Sequence, residues 1–170
     1  MSTSLDLSKL SLMDALDLAT LIEEEARQRY EMFASQLSGF GAGTFFASMA
    51  ENEAKHGTEL LARRMALFGK TPMKLKLADL YDVEAPEMGA PRRGMSTLQA
   101  FELGLSAEQK AYDFYDTALP GITDPEVKKL FTELRDEELE HVEMLRKKMA
   151  KLPPRASIVT ENDPDDAPYL

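Results

Sequence analysis

Apolar side chains recur at spacings of three and four residues along four long stretches of the chain, as on the inward face of an amphipathic helix. Strand-type alternation is not convincing in any segment. A serine or an Asp-Pro pair marks several of the predicted helix starts. The pattern predicts an all-α chain with helices over residues 11–36, 44–68, 96 to the LPGITD segment (119–124), and 124–151.

An internal repeat groups these helices into two hairpins, at about residues 11–68 and 96–151. A single offset of 85 residues pairs helix starts and core positions: Ser11 with Ser96, Leu18 with Leu103, Tyr30 with Tyr115 and Phe46 with Phe131. Residues 69–95 are too many for a simple turn and predict a crossover running back along the bundle. The result is one antiparallel four-helix bundle over residues 1–151, with a long crossover between helices 2 and 3.

The apolar face of each predicted helix forms a stripe of side chains that point inward. Each stripe is interrupted near its middle by a glutamate. In the first helix Glu23 falls on the apolar stripe, whereas Glu24 and Glu25 fall outside it. Both histidines of the chain follow a glutamate by three residues, and the same 85-residue offset relates the two pairs. The polar members of the other three stripes are Glu53 and His56, Glu108, and Glu138 and His141.

Four carboxylates inside one bundle core need a counter-charge, because desolvation and mutual repulsion both oppose their ionisation. The stripes carry no lysine or arginine near these glutamates. Two divalent cations would balance the charge, and residues three apart on a helix lie close enough to bind one ion together. The pattern therefore predicts a two-metal site in which each Glu-x-x-His supplies one half.

Simpler interpretations exist for single elements of this pattern. One isolated Glu-x-x-His is most often a solvated surface pair. Tyr30 and Tyr115 each follow a stripe glutamate by seven residues. They are either core aromatics whose hydroxyls need a partner, or hydrogen-bond or electron donors to the metal site. The remaining acids, such as Glu24, Glu25, Glu51 and Glu140, are most simply a solvated helix face.

Composition narrows the function further. A net charge of −10 argues against nucleic acid or an anionic membrane as partner. Without cysteine the chain has no disulfide, thiolate nucleophile or iron–sulfur cluster. Its first residues, MSTSLDLSKL, lack the features of a signal peptide, so a cytoplasmic location is expected. The acidic, proline-containing tail over residues 152–170 predicts a disordered or surface-draped terminus.

At these residues the sequence resembles the ferritin-like di-iron carboxylate family. The segments EEEARQRYEMFA (23–34) and ENEAKH (51–56) are similar to helix signatures of its rubrerythrin branch. The resemblance covers roughly residues 11–150 and implies six metal ligands: Glu23, Glu53, His56, Glu108, Glu138 and His141. Two departures stand out, since rubrerythrins carry a cysteine-ligated rubredoxin domain and an extra glutamate where this chain has Ala111. Nor does a fifth helix follow residue 151, which argues against a large ferritin-type cage.

The resemblance implies a non-haem di-iron oxidoreductase that reduces dioxygen or hydrogen peroxide. Its cofactor would be two iron ions, although carboxylate–histidine sites also accept manganese and zinc. Electrons would come from ferrous iron itself or from a separate donor protein, and a homodimer is expected. Without the extra carboxylate at Ala111, both ions should keep the same ligands in both redox states. The alternatives are iron handling without turnover and a metal-stabilised bundle that binds a partner protein.

Overall fold

A computed structural model describes residues 6–38, 41–75 and 94–157 of the chain. Its four long helices are α1 (Leu12–Gln36), α2 (Ala42–Phe68), α3 (Thr97–Ala118) and α4 (Pro125–Met149). Short 3₁₀ turns cover Leu7–Lys9, Leu119–Gly121 and Pro154–Ser157. These described ranges contain no strand. The predicted all-α four-helix architecture is confirmed.

Side chains at the helix starts explain where three of the helices begin. Ser96 accepts a hydrogen bond from the Gln99 N–H, and the Gln99 side chain accepts one from the Ser96 N–H, completing a capping box before α3. Ser11 accepts a hydrogen bond from the Asp14 N–H at the start of α1. Asp124 caps α4 and is followed by proline at the first helical position. The starts predicted for these three helices therefore hold.

Helices α1 and α2 pack against each other, and so do α3 and α4. At the α1–α2 turn the backbones approach so closely that only glycine fits position 43. A Cβ on Gly43 would lie 2.8 Å from Ser38 Cα and 2.9 Å from the Leu37 carbonyl oxygen. Helix α2 begins at Ala42, two residues before the predicted Thr44, and follows Gly41, whose φ of 72° lies in the left-handed region.

The apolar core is divided into two clusters along the bundle. One cluster combines the first half of α1 with residues from the end of α3 and the first half of α4, and it includes Leu16, Ile22, Tyr115 and Phe131. The other combines the second half of α1 with the first half of α2, the start of α3 and Leu145 of α4, and it includes Tyr30, Phe33, Phe46 and Phe101. The acid interruptions of the four stripes fall between these two clusters. A polar layer is therefore enclosed by apolar side chains above and below.

A buried ion pair ties α1 to α2 and was not predicted. Asp17 is 0% exposed and Arg64 is 5% exposed. The Arg64 guanidinium donates two hydrogen bonds to the Asp17 carboxylate and a third, of 3.3 Å, to the Gly69 carbonyl oxygen. Such a pair is held in the core because each charge satisfies the other.

Two predicted segments fall largely outside the described residues. These are the crossover, of which 76–93 is not described, and the tail beyond residue 157. Among the described helices, none is both long and apolar enough to cross a membrane.

Candidate metal centre

Each helix contributes to the polar layer at its predicted positions. Glu23 comes from α1, Glu108 from α3, and the two Glu-x-x-His pairs from α2 and α4. Glu23, Glu53 and Glu108 are each 2% exposed, while Glu138 is 5% and His141 is 4% exposed. His56 is the most accessible of the six, with 19% of its side chain exposed. The fold therefore brings all six predicted residues to one level of the bundle.

His141 lies at the centre of this layer. Its Nδ1 is 3.2 Å from Glu53 Oε1, 3.4 Å from Glu108 Oε2 and 3.7 Å from Glu138 Oε2. Three helices thus direct carboxylate oxygens at one imidazole nitrogen. The His56 ring is stacked near it, with centroids 5.6 Å apart and planes inclined by 9°.

The second half of the layer is built around His56. Its Nδ1 lies 3.6 Å from Glu23 Oε2 and 3.8 Å from Glu137 Oε2. Glu137 was not identified from the sequence, where it stands directly before Glu138 in an acid-rich run. Its half-buried side chain reaches His56 across the α2–α4 boundary. The one sequence signal for it is its place one turn before His141 on the same helix.

Two groups of side chains present ligand atoms within 4.8 Å of one another. The first is Glu53, His56 and His141, and the second is Glu108, Glu138 and His141. His141 belongs to both groups, whereas the sequence pattern assigned one histidine to each ion. Glu23 belongs to neither group, although its carboxylate lies beside both His56 and Glu53. The role of all six as ligands remains a prediction.

The chemistry of the donor set fits a pair of divalent cations. Glu23 Oε2, Glu53 Oε1 and the Nδ1 atoms of both histidines are fully enclosed, and no hydrogen bond reaches them from the described residues. Buried polar atoms without partners are costly and uncommon in folded proteins. Carboxylate oxygens and imidazole nitrogens that converge in this way are suitable ligands for iron, manganese or zinc. A metal would satisfy the atoms that the protein leaves without partners.

Without metal, the charges of the layer perturb each other strongly. Burial and the neighbouring Glu108 raise the pKa of Glu53. The Glu23 carboxylate raises the pKa of His56. Burial disfavours the charged form of His141, but the Glu108 and Glu53 carboxylates outweigh it and raise the His141 pKa to about 9. Metal-free protein near neutral pH therefore keeps the His141 imidazole protonated, and metal binding at its Nδ1 must release that proton.

Tyr30 lies directly beside one of the predicted ligands. It is completely buried, and its hydroxyl donates a hydrogen bond to Glu108 Oε1. Burial and the adjacent Glu108 charge raise the pKa of the Tyr30 hydroxyl, which keeps it protonated as a donor. Gly104 permits this position, because a Cβ there would lie only 3.3 Å from Tyr30 Cε1.

Tyr115, the repeat partner of Tyr30, packs among aromatic rings. Its ring meets Phe131 edge-on with centroids 5.1 Å apart, and it also contacts Phe114. Ala111, where rubrerythrins have an extra glutamate, is 2% exposed and adds no carboxylate to the layer. The third helix therefore contributes Glu108 alone to the polar layer.

Comparison with known proteins places this geometry in a family. The rubrerythrin family model matches residues 14–149. A crystal structure of an uncharacterised conserved protein from Magnetospirillum magnetotacticum MS-1 is similar, with 29% sequence identity and a TM-score of 0.71 over 85% of this chain and 97% of the other. No curated protein shows significant similarity to the chain. With four helices around a Glu/His layer and a family match that spans the bundle, this chain belongs to the rubrerythrin family.

Proposed function

We propose that the polar layer holds two iron ions and that the protein is an oxidoreductase acting on dioxygen or hydrogen peroxide. The observation that carries this proposal is the set of enclosed ligand atoms without hydrogen-bond partners between two apolar clusters. Membership of the rubrerythrin family supports iron as the metal. Two bound iron ions would supply the electrons for reduction of the oxidant.

The side chains around the centre have separate tasks in this proposal. Glutamate oxygens bind the ions through hard anionic ligands, and His56 and His141 add neutral nitrogen ligands. Tyr30 orients Glu108 by its hydrogen bond and keeps one of its oxygens from rotating. The apolar clusters on both sides keep bulk water from the carboxylates, which strengthens their interaction with a cation.

We also propose that the electrons come from ferrous iron itself or from a separate donor protein, because the chain has no cysteine for a rubredoxin-type centre. A cytoplasmic homodimer is the assembly and location we expect. Two other functions are consistent with the same ligands. One is iron handling without turnover, and the other is a bundle that a metal such as zinc merely stabilises for partner binding.

Metal analysis followed by spectroscopy separates these functions. We expect purified protein to bind two equivalents of added ferrous iron anaerobically, and its absorption in the near-ultraviolet and visible to change when peroxide or air is admitted. Iron that binds and oxidises once but cannot be cycled with a chemical reductant would indicate handling without turnover. A protein that retains zinc and shows no spectral change with ferrous iron would contradict the redox proposal.

Adjacent glutamates on α1 provide a matched pair of variants for the same measurement. Glu23→Gln removes a buried carboxylate that lies 3.6 Å from His56, and we expect it to lower metal stoichiometry. Glu24→Gln makes the same chemical change at a side chain that is 44% exposed and ion-paired with Arg27. If the two variants lose metal equally, the assignment of Glu23 to the centre is wrong.

A further inference from the structure

A cavity of about 210 Å³ opens between α2 and α4 beside the polar layer. Its charged lining consists of His56, Glu59, Arg63, Glu133 and Glu137. Its apolar lining is formed by Leu60, Leu130 and Leu134. The metal-ligand prediction uses only His56 among these residues, so the other charged groups require a separate explanation.

The cavity leads to ligand atoms that have no hydrogen-bond partner. The His56 ring forms part of its wall, and His56 Nδ1 lies between Glu137 Oε2 at 3.8 Å and Glu23 Oε2 at 3.6 Å. Glu23 is 2% exposed, and its Oε2 receives no hydrogen bond from the described residues. A line of oxygen and nitrogen atoms that could bind a metal ion therefore runs from half-buried Glu137 through His56 to buried Glu23.

The internal repeat provides a comparison within the same molecule. The 85-residue offset exchanges α2 with α4 and relates this wall to a second one around His141. In this second wall, Asn52 occupies the position equivalent to Glu137. Met144 is equivalent to Glu59, and Ser48 is equivalent to Glu133.

In the second wall an aromatic ring occupies the position equivalent to Leu130 of the cavity. This is Phe45, which stacks on Phe101 with centroids 5.2 Å apart, and Lys148 Nζ lies 5.6 Å above the Phe45 ring. Carboxylates thus line one of the two related walls, whereas aromatic and cationic groups occupy the other.

We propose that the cavity between α2 and α4 is the port by which a divalent cation reaches the centre, with Glu137 as the carboxylate that passes it to His56 and Glu23. This inference rests on the proposed metal-binding function. It assigns Glu137 a transfer role rather than that of a permanent ligand, and it gives the two halves of the centre unequal access.

The charges of the cavity favour transfer of a cation from Glu137 inward to His56 and Glu23. Arg63 lies 3.6 Å from Glu133 and 3.8 Å from Glu126, so the one guanidinium in the cavity wall is held at the Glu133 side. Glu137 faces His56 instead, with 43% of its side chain exposed. A half-buried carboxylate beside a concave, partly apolar wall attracts cations and raises their local concentration. The same group is close enough to the inner ligands to transfer the ion.

The test measures the rate of metal uptake separately from the amount bound. Cobalt(II) is mixed with metal-free protein in a stopped-flow instrument, and its d–d absorption reports ligand binding. Glu137→Gln preserves the shape of the side chain and removes its charge. Glu143→Gln is the matched control, because Glu143 is exposed on the same helix and does not line the cavity.

We expect Glu137→Gln to take up cobalt about three- to tenfold more slowly than wild type at low salt, the effect of removing one charge near a divalent ion in water. The final stoichiometry should stay unchanged, and the difference should shrink as ionic strength rises. Glu143→Gln should load at the wild-type rate. A Glu59→Gln variant should also load more slowly, since Glu59 lines the same cavity.

Failure of the port and failure of the metal centre give different results. If wild type binds two cobalt ions and Glu137→Gln loads equally fast, the port is wrong and the centre stands. Loss of bound cobalt in Glu137→Gln without a slower rate would make Glu137 a permanent ligand and would also overturn the proposed transfer role. If wild type binds no cobalt and no ferrous iron, the proposed centre itself is wrong.

Discussion

The stability of the metal-free protein should depend on pH in a direction set by His141. The Glu108 and Glu53 carboxylates favour the protonated imidazole, and the pKa of His141 rises from 6.5 to about 9. In the unfolded chain the same histidine loses its proton near its ordinary pKa. Between these two values the folded state binds more protons than the unfolded state. The free energy of unfolding must therefore fall as pH rises through this window.

The expected size of the effect follows from the shift. One pKa unit corresponds to about 1.4 kcal/mol, so a rise from 6.5 to about 9 allows a loss of at most ~3.5 kcal/mol. This stabilisation is fully present below pH 6.5 and is lost as pH approaches 9. His56 and Glu53, whose pKa values are also raised, act in the same direction. The pKa of Glu108 is lowered, and its contribution is lost only in acid, below the window. For a domain stable by about 5–15 kcal/mol, the change is readily measured.

Urea unfolding of metal-free protein at a series of pH values, followed by circular dichroism, measures this dependence. His141→Gln should flatten the decline between pH 6.5 and 9, whereas His56→Gln should leave most of the His141 contribution in place. Metal-loaded protein should show no such decline, because ligating histidines are neutral and bind metal more tightly as pH rises. A metal-free protein whose stability is constant or increases over this range would refute the reasoning.

Two further predictions concern buried hydrogen bonds and are tested by urea unfolding. Tyr30→Phe removes the hydroxyl that donates to Glu108 and should lower the free energy of unfolding of metal-free protein by about 1.5–3 kcal/mol. Tyr112→Phe, at a partly exposed tyrosine, is the control and should change it little. Equal losses in the two variants would show that the buried bond contributes nothing specific. Asp17→Asn leaves the Arg64 charge buried without a counter-ion and should cost about 3–5 kcal/mol, while replacing both residues with apolar side chains of similar size should restore much of the loss. Wild-type stability in the single variant would contradict this.

Local pattern predicted the helices and the composition of the polar layer well. Helix starts depend on residues within one turn, so Ser96 with Gln99 and Asp124 with Pro125 could be recognised directly. Helical periodicity shows which side chains share a face, and this distinguished buried Glu23 from its partly exposed neighbour Glu24. The repeat indicated that residues from four helices share one level, and the structure places them there.

Periodicity assigns a residue to a face but does not identify what that face meets. The Asp17–Arg64 pair joins positions 47 residues apart, and nothing local in either helix indicates the partner. Glu137 stands one residue before a predicted ligand, yet its contact with His56 depends on how α4 is rotated against α2. The same rotation places His141 within both candidate ligand groups, although the repeat suggested one histidine for each.

The sequence alone determined the number of helices, their inward faces and the acid that interrupts each one, because these properties depend on neighbours within two helical turns. Tertiary structure decided which carboxylates approach which imidazole, since ångström-scale distances depend on the rotation and rise of whole helices against each other. The tertiary structure also shows that the surroundings of the two histidines differ. Glu137 and Asn52 occupy equivalent positions in the repeat, and the structure shows an acidic cavity beside His56 and an aromatic ring on the wall around His141.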